Sequence, residues 1–238
     1  MSRSDTQYET LRYDDDGDIA TVRLERSRIN VRQLGELERV CAHLEDESKA
    51  SLVIFRGASQ GIDFTDFDPK VGLDIHGFNK WEKLLRRIEQ LEKVTCFFAE
   101  GDLVGGGFQL MLTCDVRSAR ADATFRLPEV QMGFLPGMAT WRLARYVGVG
   151  HARRLILRGD SVGTDEAVRL GLIDDIREDL DHADLRAHYR PATAVASALA
   201  RRLLLESGET QYEDALGNLL AAQFRAISQS AFLENLKK

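Results

Sequence analysis

Three consecutive glycines (Gly105, Gly106, Gly107), Gln109 beside them and Glu129 twenty residues further on are the groups whose types and spacing point to chemistry. The glycines follow an apolar run and open an amphipathic one. Their backbone N–H groups therefore lie bare at the positive end of a helix, an arrangement suited to holding an oxyanion. Glu129 is a carboxylate in an otherwise apolar stretch and a candidate for moving a proton. An oxyanion cradle with an acid/base close by is the equipment of enolate chemistry on a carbonyl compound. Taken alone, the glycines read as well as a tight strand-to-helix corner needing positive φ. They match neither GxGxxG nor a phosphate-binding loop ending in Lys-Ser/Thr.

Around these groups the sequence predicts a strand, a glycine turn, a helix start and a second strand over 100–117 (EGDLVGGGFQLMLTCDVR). A Pro128-Glu129 step and another glycine turn follow within 123–137 (ATFRLPEVQMGFLPG). Upstream, residues 18–24 alternate as a strand after an Asp-rich turn ending at Gly17. Residues 30–44 have helical periodicity, with Leu34, Leu37, Val40, Cys41 and Leu44 on one face. Residues 51–56 form a short buried strand that ends in a turn at Gly57, and 61–77 is irregular. Residues 78–91 are strongly amphipathic, with Trp81, Leu84, Leu85, Ile88 and Leu91 apolar. From about Pro191 onward the chain reads as wholly helical. Strand–helix alternation of this kind predicts an α/β core with parallel pairing and a helical C-terminal region.

The 238 residues suit one domain, or one with a small appendage, and 44% hydrophobic with 29% charged residues is ordinary for a chain that buries a sizeable core. A net charge of −6 argues against nucleic acid or an anionic membrane as partner. No apolar run approaches the ~20 residues that span a bilayer, and the first residues lack the apolar core of a signal peptide. Cys41, Cys96 and Cys114 sit singly in apolar contexts, the pattern of reduced core residues in a cytoplasmic protein. His43, His76, His151, His182 and His188 lack ligand spacing, so no metal site is expected. The pairs Arg142/Arg145 and Arg153/Arg154 read as helix-surface charge.

The ordered motifs of 95–175 resemble the crotonase (enoyl-CoA hydratase/isomerase) superfamily. The similarity runs on through 142–150 (RLARYVGVG), 164–175 (TDEAVRLGLIDD) and 230–237 (SAFLENLK), covering nearly the whole chain. The resemblance implies an α/β superhelix of ββα units over residues 1–190. It also implies a helical region, 191–238, that supports assembly into a homotrimer or hexamer. The substrate would be an acyl-CoA or acyl-carrier-protein thioester, with no cofactor beyond the coenzyme A of the substrate itself.

Residue by residue, the resemblance gives Gly106 as one oxyanion-hole N–H. The other would come from the loop 62–67 (IDFTDF), where Asp66 falls on the donor position. The family's small Ala-Gly-Ala face is replaced there by Phe64, Thr65 and Asp66, so the pocket beside the hole is expected to be reshaped. Glu129 matches the second family glutamate. Gln109 stands where the first would be, and an amide cannot take up a proton from water at neutral pH. Two-glutamate hydration is thereby disfavoured, and a single-glutamate double-bond isomerase is the preferred reading. Hydration or dehydration, decarboxylation in a polyketide-type pathway, and a catalytically weak accessory subunit are the alternatives. Gly105, Pro136, Gly137, Met138 and Trp141 complete the expected substrate pocket, with Met138 and Trp141 narrowing it. Lys70 and Lys80 are candidates for the phosphates of coenzyme A, although the family's usual lysine position holds Pro69.

Overall fold

Strand formation in this chain follows its apolar runs. In the computed structural model, which describes residues 8–62, 75–189, 193–208 and 210–236, the run 52–55 lies in a strand buried on both faces. Val53 and Phe55 point into the main core, and Leu52 and Ile54 into a second, smaller cluster with Cys96 and Phe98. Two-sided burial is what a parallel strand covered on both faces requires.

The elements are β1 (Leu11–Asp15), β2 (Ile19–Leu24), α1 (Val31–Asp46), β3 (Leu52–Gln60), α2 (Ile75–Gln90), β4 (Val94–Val104) and α3 (Gly106–Met111). Then come β5 (Val116–Ala119), β6 (Thr124–Arg126), a short 3-10 helix (Glu129–Met132), α4 (Ala139–Arg158), β7 (Val162–Gly163), α5 (Thr164–Arg169) and β8 (Asp175–Ile176). The helices α6 (His182–Tyr189), α7 (Ala194–Glu206), α8 (Tyr212–Ile227) and α9 (Ser230–Asn235) follow. The sheet runs β1-β2-β3-β4-β5-β8, with β6 beside the end of β4 and β7 beside β6. Pairing is parallel except at β1–β2 and β6–β7, which are antiparallel.

Both helices read from periodicity are present. Asn30 caps α1 by accepting from the Gln33 N–H at 2.8 Å. The predicted apolar faces of α1 and α2 are buried in the core. One expectation needs correction: the strand at 51–56 does not turn at Gly57 but runs through it to Gln60. Gly57 has φ 138°, and the pairing of β3 with β4 slips there, a β-bulge rather than a turn. A Cβ at Gly57 would lie 3.0 Å from the Leu24 carbonyl oxygen, so glycine is what lets β2 and β3 close up. The same slip absorbs Gly101 and Asp102 into β4, which is one strand of 11 residues.

The C-terminal helices are fastened to the sheet by Arg201 of α7. Its guanidinium donates to Asp115 Oδ2 at 2.6 Å, to the Glu89 carbonyl at 3.2 Å and to the Leu91 carbonyl. Outward, α7–α9 present Leu204, Tyr212, Leu220, Phe224 and Leu236 to solvent. Among the described residues, no helix is long and apolar enough to cross a membrane.

Candidate active site

Strand β4 delivers its C-terminal end to a corner that only glycine turns: Gly105 has φ 54° and ψ −116°. The Gly105 N–H donates to the Arg126 carbonyl at 2.9 Å, tying the corner to β6. Helix α3 then starts against neighbours that leave no room for side chains. A Cβ on Gly106 would approach Ile62 Cγ1 to 2.7 Å, and one on Gly107 would collide with Ser59. The Gly106 N–H belongs to the first turn and has no intrahelical acceptor.

Glu129 begins the 3-10 helix after Pro128 and is buried, with 3% of its surface exposed. Its Oε1 would lie 3.1 Å from a Cβ on Gly105, so carboxylate and glycine corner are in direct apposition. Gln109, one turn into α3, donates from Nε2 to Glu129 Oε1 at 3.0 Å. Gln109 Oε1 in turn accepts from the Trp81 indole N–H at 2.8 Å. The other carboxylate oxygen, Glu129 Oε2, is covered and has no hydrogen-bond partner among the described residues. Burial raises the Glu129 carboxyl above the ordinary glutamate range, and its backbone N–H and Gln109 offset only part of that.

In front of Gln109 lies a cleft of about 520 Å³ walled by Ile62, Phe78, Trp81, Phe134 and Leu135, with His76, Asn79, Glu82 and Gly137 at its edge. Phe78 and Phe134 pack ring on ring, centroids 4.6 Å apart. Glu82 is fully engaged: one oxygen accepts the Met138 N–H at 2.8 Å and the other pairs with Arg142 at 3.2 Å. Arg142 also forks onto Glu89 at 2.8 and 3.2 Å. Gly137, with φ 50°, has no space for a Cβ against Glu82.

The structure thus brings together Gly105, Gly106, Gln109 and Glu129. Gly137 lines the cleft, and Gln109 forms its floor with Glu129 directly behind. Met138 and Trp141, expected to narrow the pocket, are not among its lining residues, nor are Gly105 and Pro136. Met138 is the N-terminal cap of α4 and 45% exposed, and Trp141 is covered by Arg145, whose guanidinium carbon sits 4.5 Å from the ring centroid. Lys80 is exposed on α2. Phe64, Thr65, Asp66 and Lys70 lie outside the described residues.

Sequence reasoning missed Trp81, Phe78, Phe134 and Glu82. Trp81 carried a usable signal: a tryptophan on the buried face of a helix needs an acceptor for its N–H, and Gln109 is the buried polar group that supplies one.

Comparison with known proteins places the sequence and the fold. The enoyl-CoA hydratase/isomerase family model matches residues 15–236. An enoyl-CoA-hydratase of Amycolatopsis orientalis is 32% identical over 215 residues, 88% of this chain and 96% of its own. The short-chain-enoyl-CoA hydratase of Clostridium acetobutylicum is 33% identical over 174 residues, covering 68% of this chain and 67% of that protein. Among solved structures, an enoyl-CoA hydratase from Shewanella pealeana has the same fold, with TM-score 0.87 at 23% identity over 98% of this chain and 94% of its own. Pseudomonas aeruginosa AtuE superposes with TM-score 0.81 at 26% identity, covering 94% and 93%.

Proposed function

The chain belongs to the enoyl-CoA hydratase/isomerase family, with its crotonase fold and its lyase/isomerase type of activity, and from that premise we propose that it moves the double bond of an enoyl thioester with one glutamate. The observation that carries this reading is the state of Gln109 at the floor of the cleft and of Glu129 behind it. Gln109 is spent on both sides, by Trp81 and by Glu129. Among the described residues, Glu129 Oε2 has no hydrogen-bond partner, whereas the cleft carboxylate Glu82 is tied to Met138 and Arg142.

The reaction follows from that inventory. The acyl chain lies along the apolar cleft, with the thioester carbonyl at the Gly106 N–H and a second donor supplied by the Asp66 backbone. Glu129 Oε2 takes the α-proton of a 3-enoyl thioester, and the electron pair delocalises into a dienolate whose oxygen the N–H groups hold. The same proton returns at the γ-carbon, leaving the 2-enoyl thioester and a regenerated carboxylate. Net charge and atoms are unchanged, and no cofactor takes part. A carboxyl raised by desolvation is better matched to carbon acids than an ordinary one, provided it is ionised at the working pH.

The test is hydrogen–deuterium exchange at the α-carbon of acyl- and enoyl-CoA thioesters in D₂O, comparing wild type with Glu129→Gln. Exchange that requires Glu129 supports the reading, and exchange undiminished by the substitution sinks it. A second reading, hydration, has one specific support: the Amycolatopsis and Clostridium relatives carry hydratase names. Incubating a 2-enoyl-CoA in ¹⁸O-water decides between them, since only hydration places the label on a 3-hydroxyacyl product.

The outward apolar residues of α7–α9 support the further proposal that a second and third copy of this chain cover them, as the family resemblance implies. Light scattering that returns the mass of a monomer would remove it.

A further inference from the structure

Trp81 is 2% exposed, on the buried face of α2, and its indole N–H meets Gln109 Oε1 at 2.8 Å. An indole nitrogen can only donate, so the contact admits one orientation of the amide: oxygen toward Trp81, nitrogen toward Glu129. Resting on the reading of Glu129 as the proton-transfer group, we propose that Trp81 is a positioning residue of the reaction. By holding the Gln109 amide in one orientation, it confines the travelling proton to Glu129 Oε2.

The physical case turns on what an unheld glutamine would do. Rotated about its last bond, it would present its carbonyl oxygen to Glu129, an acceptor for the O–H of a carboxylic acid. That partner stabilises the protonated glutamate and draws the proton to the oxygen beside Gln109. Held by Trp81, the amide offers only N–H, which favours the carboxylate. A proton that arrives then settles on Oε2, the oxygen without a partner among the described residues.

Among the described residues, the other charges near the site are engaged elsewhere or stand at the cleft lining. His76 and Glu82 of α2 line the cleft. Glu82 is bound to Met138 and Arg142, and Arg126 of β6 donates from Nε to the Gly159 carbonyl at 2.7 Å. Burial, the glutamate's own backbone N–H and Gln109 are what set the Glu129 carboxyl.

Two measurements test the proposal. The first is the pH dependence of α-carbon exchange in Trp81→Phe, which keeps an apolar ring and removes the N–H. The acid limb is expected to move to higher pH, with the rate on its acid side roughly tenfold below wild type and the alkaline plateau within a few-fold. An equal loss at every pH, as a cavity from the smaller ring would give, overturns it. The second needs no variant of Trp81 and stands if that variant does not fold. With two tryptophans in the chain, the ¹⁵N-labelled indoles of the native protein give two signals, Trp141 serving as reference. The Trp81 indole is expected to shift with the midpoint of the acid limb and to stay still in Glu129→Gln. A Trp81 signal indifferent to pH overturns the proposal. Failure of the underlying reading looks different: exchange would persist in Glu129→Gln, whatever the indole does.

Discussion

Gln109 Nε2 lies 3.0 Å from Glu129 Oε1, so an amide occupies the place from which a second carboxylate would repel the first. Carboxylates at that separation cannot both ionise readily, and one of them would be driven to hold a proton. The amide removes that conflict and donates instead. Glu129 is therefore a buried acid whose ionised form has one side-chain partner, Gln109, besides its own backbone N–H.

That partner sets the direction of the first prediction. Burial raises the Glu129 carboxyl and the Gln109 hydrogen bond lowers it in part. Activity should rise with pH through a limb above the ordinary glutamate range, because the base is the ionised form. Gln109→Leu deletes the lowering contact, so its limb should lie at still higher pH. A limb that stays in place or moves toward acid in the pH–rate profile would contradict this account of the site.

Glu129→Gln should reduce turnover by about 10²–10⁴-fold, the usual worth of a general acid/base. Its effect on stability should have the opposite sign. A carboxyl raised on folding contributes stability that is complete below its unfolded pKa and lost as pH rises through the folded one. The glutamine variant escapes that loss. Its melting temperature relative to wild type should therefore climb with pH across the same interval as the activity limb, as thermal unfolding at several pH values would show.

The fork of Arg142 onto Glu89, with Glu82 beside it, is a buried charge cluster joining α2 to α4: Arg142 and Glu89 are 3% and 5% exposed. Arg142→Met strands two carboxylates and should cost about 3–5 kcal/mol in urea unfolding. Adding Glu89→Gln should recover part of it. A loss of less than about 1 kcal/mol for the single variant would mean that the cluster is effectively solvated.

Two glycines should answer to alanine differently. Gly148 interrupts α4 with φ 76° and ψ 155°, yet a Cβ there would meet nothing within 4 Å. Gly148→Ala should cost only backbone strain, about 1–3 kcal/mol. Gly107 has an ordinary φ but lies against Ser59. Gly107→Ala must push α3 off β3, and should lower exchange activity as well as stability because Gln109 rides on the same helix. Equal activity in the two variants would argue against this distinction.

How much of this was legible depended on the range of the signal. The helices α1 and α2 write their buried faces at 3.6-residue spacing, so Leu37 or Leu85 could be placed from neighbours alone. The glycine corner and Glu129 were likewise readable, as types in a local order. Gly57 misled because a glycine ending an apolar run looks the same in a turn and in a bulge, and only the facing Leu24 tells them apart. Trp81 was read for its apolar ring, and its N–H became meaningful only when folding placed Gln109 across from it. In the sequence Met138 and Trp141 show only bulk; neither lines the cleft, and what the start of α4 offers Glu82 is the Met138 backbone N–H. Such pairings join residues dozens of positions apart and leave no periodic trace.

Arg201 bears on how this molecule comes apart. Its one guanidinium satisfies the Glu89 carbonyl at the C-terminal end of α2, the Leu91 carbonyl before β4 and the carboxylate leading into β5. Loosening α7 would therefore leave those acceptors in the middle of the sheet without their donor, which couples the stability of the helical tail to that of the strands.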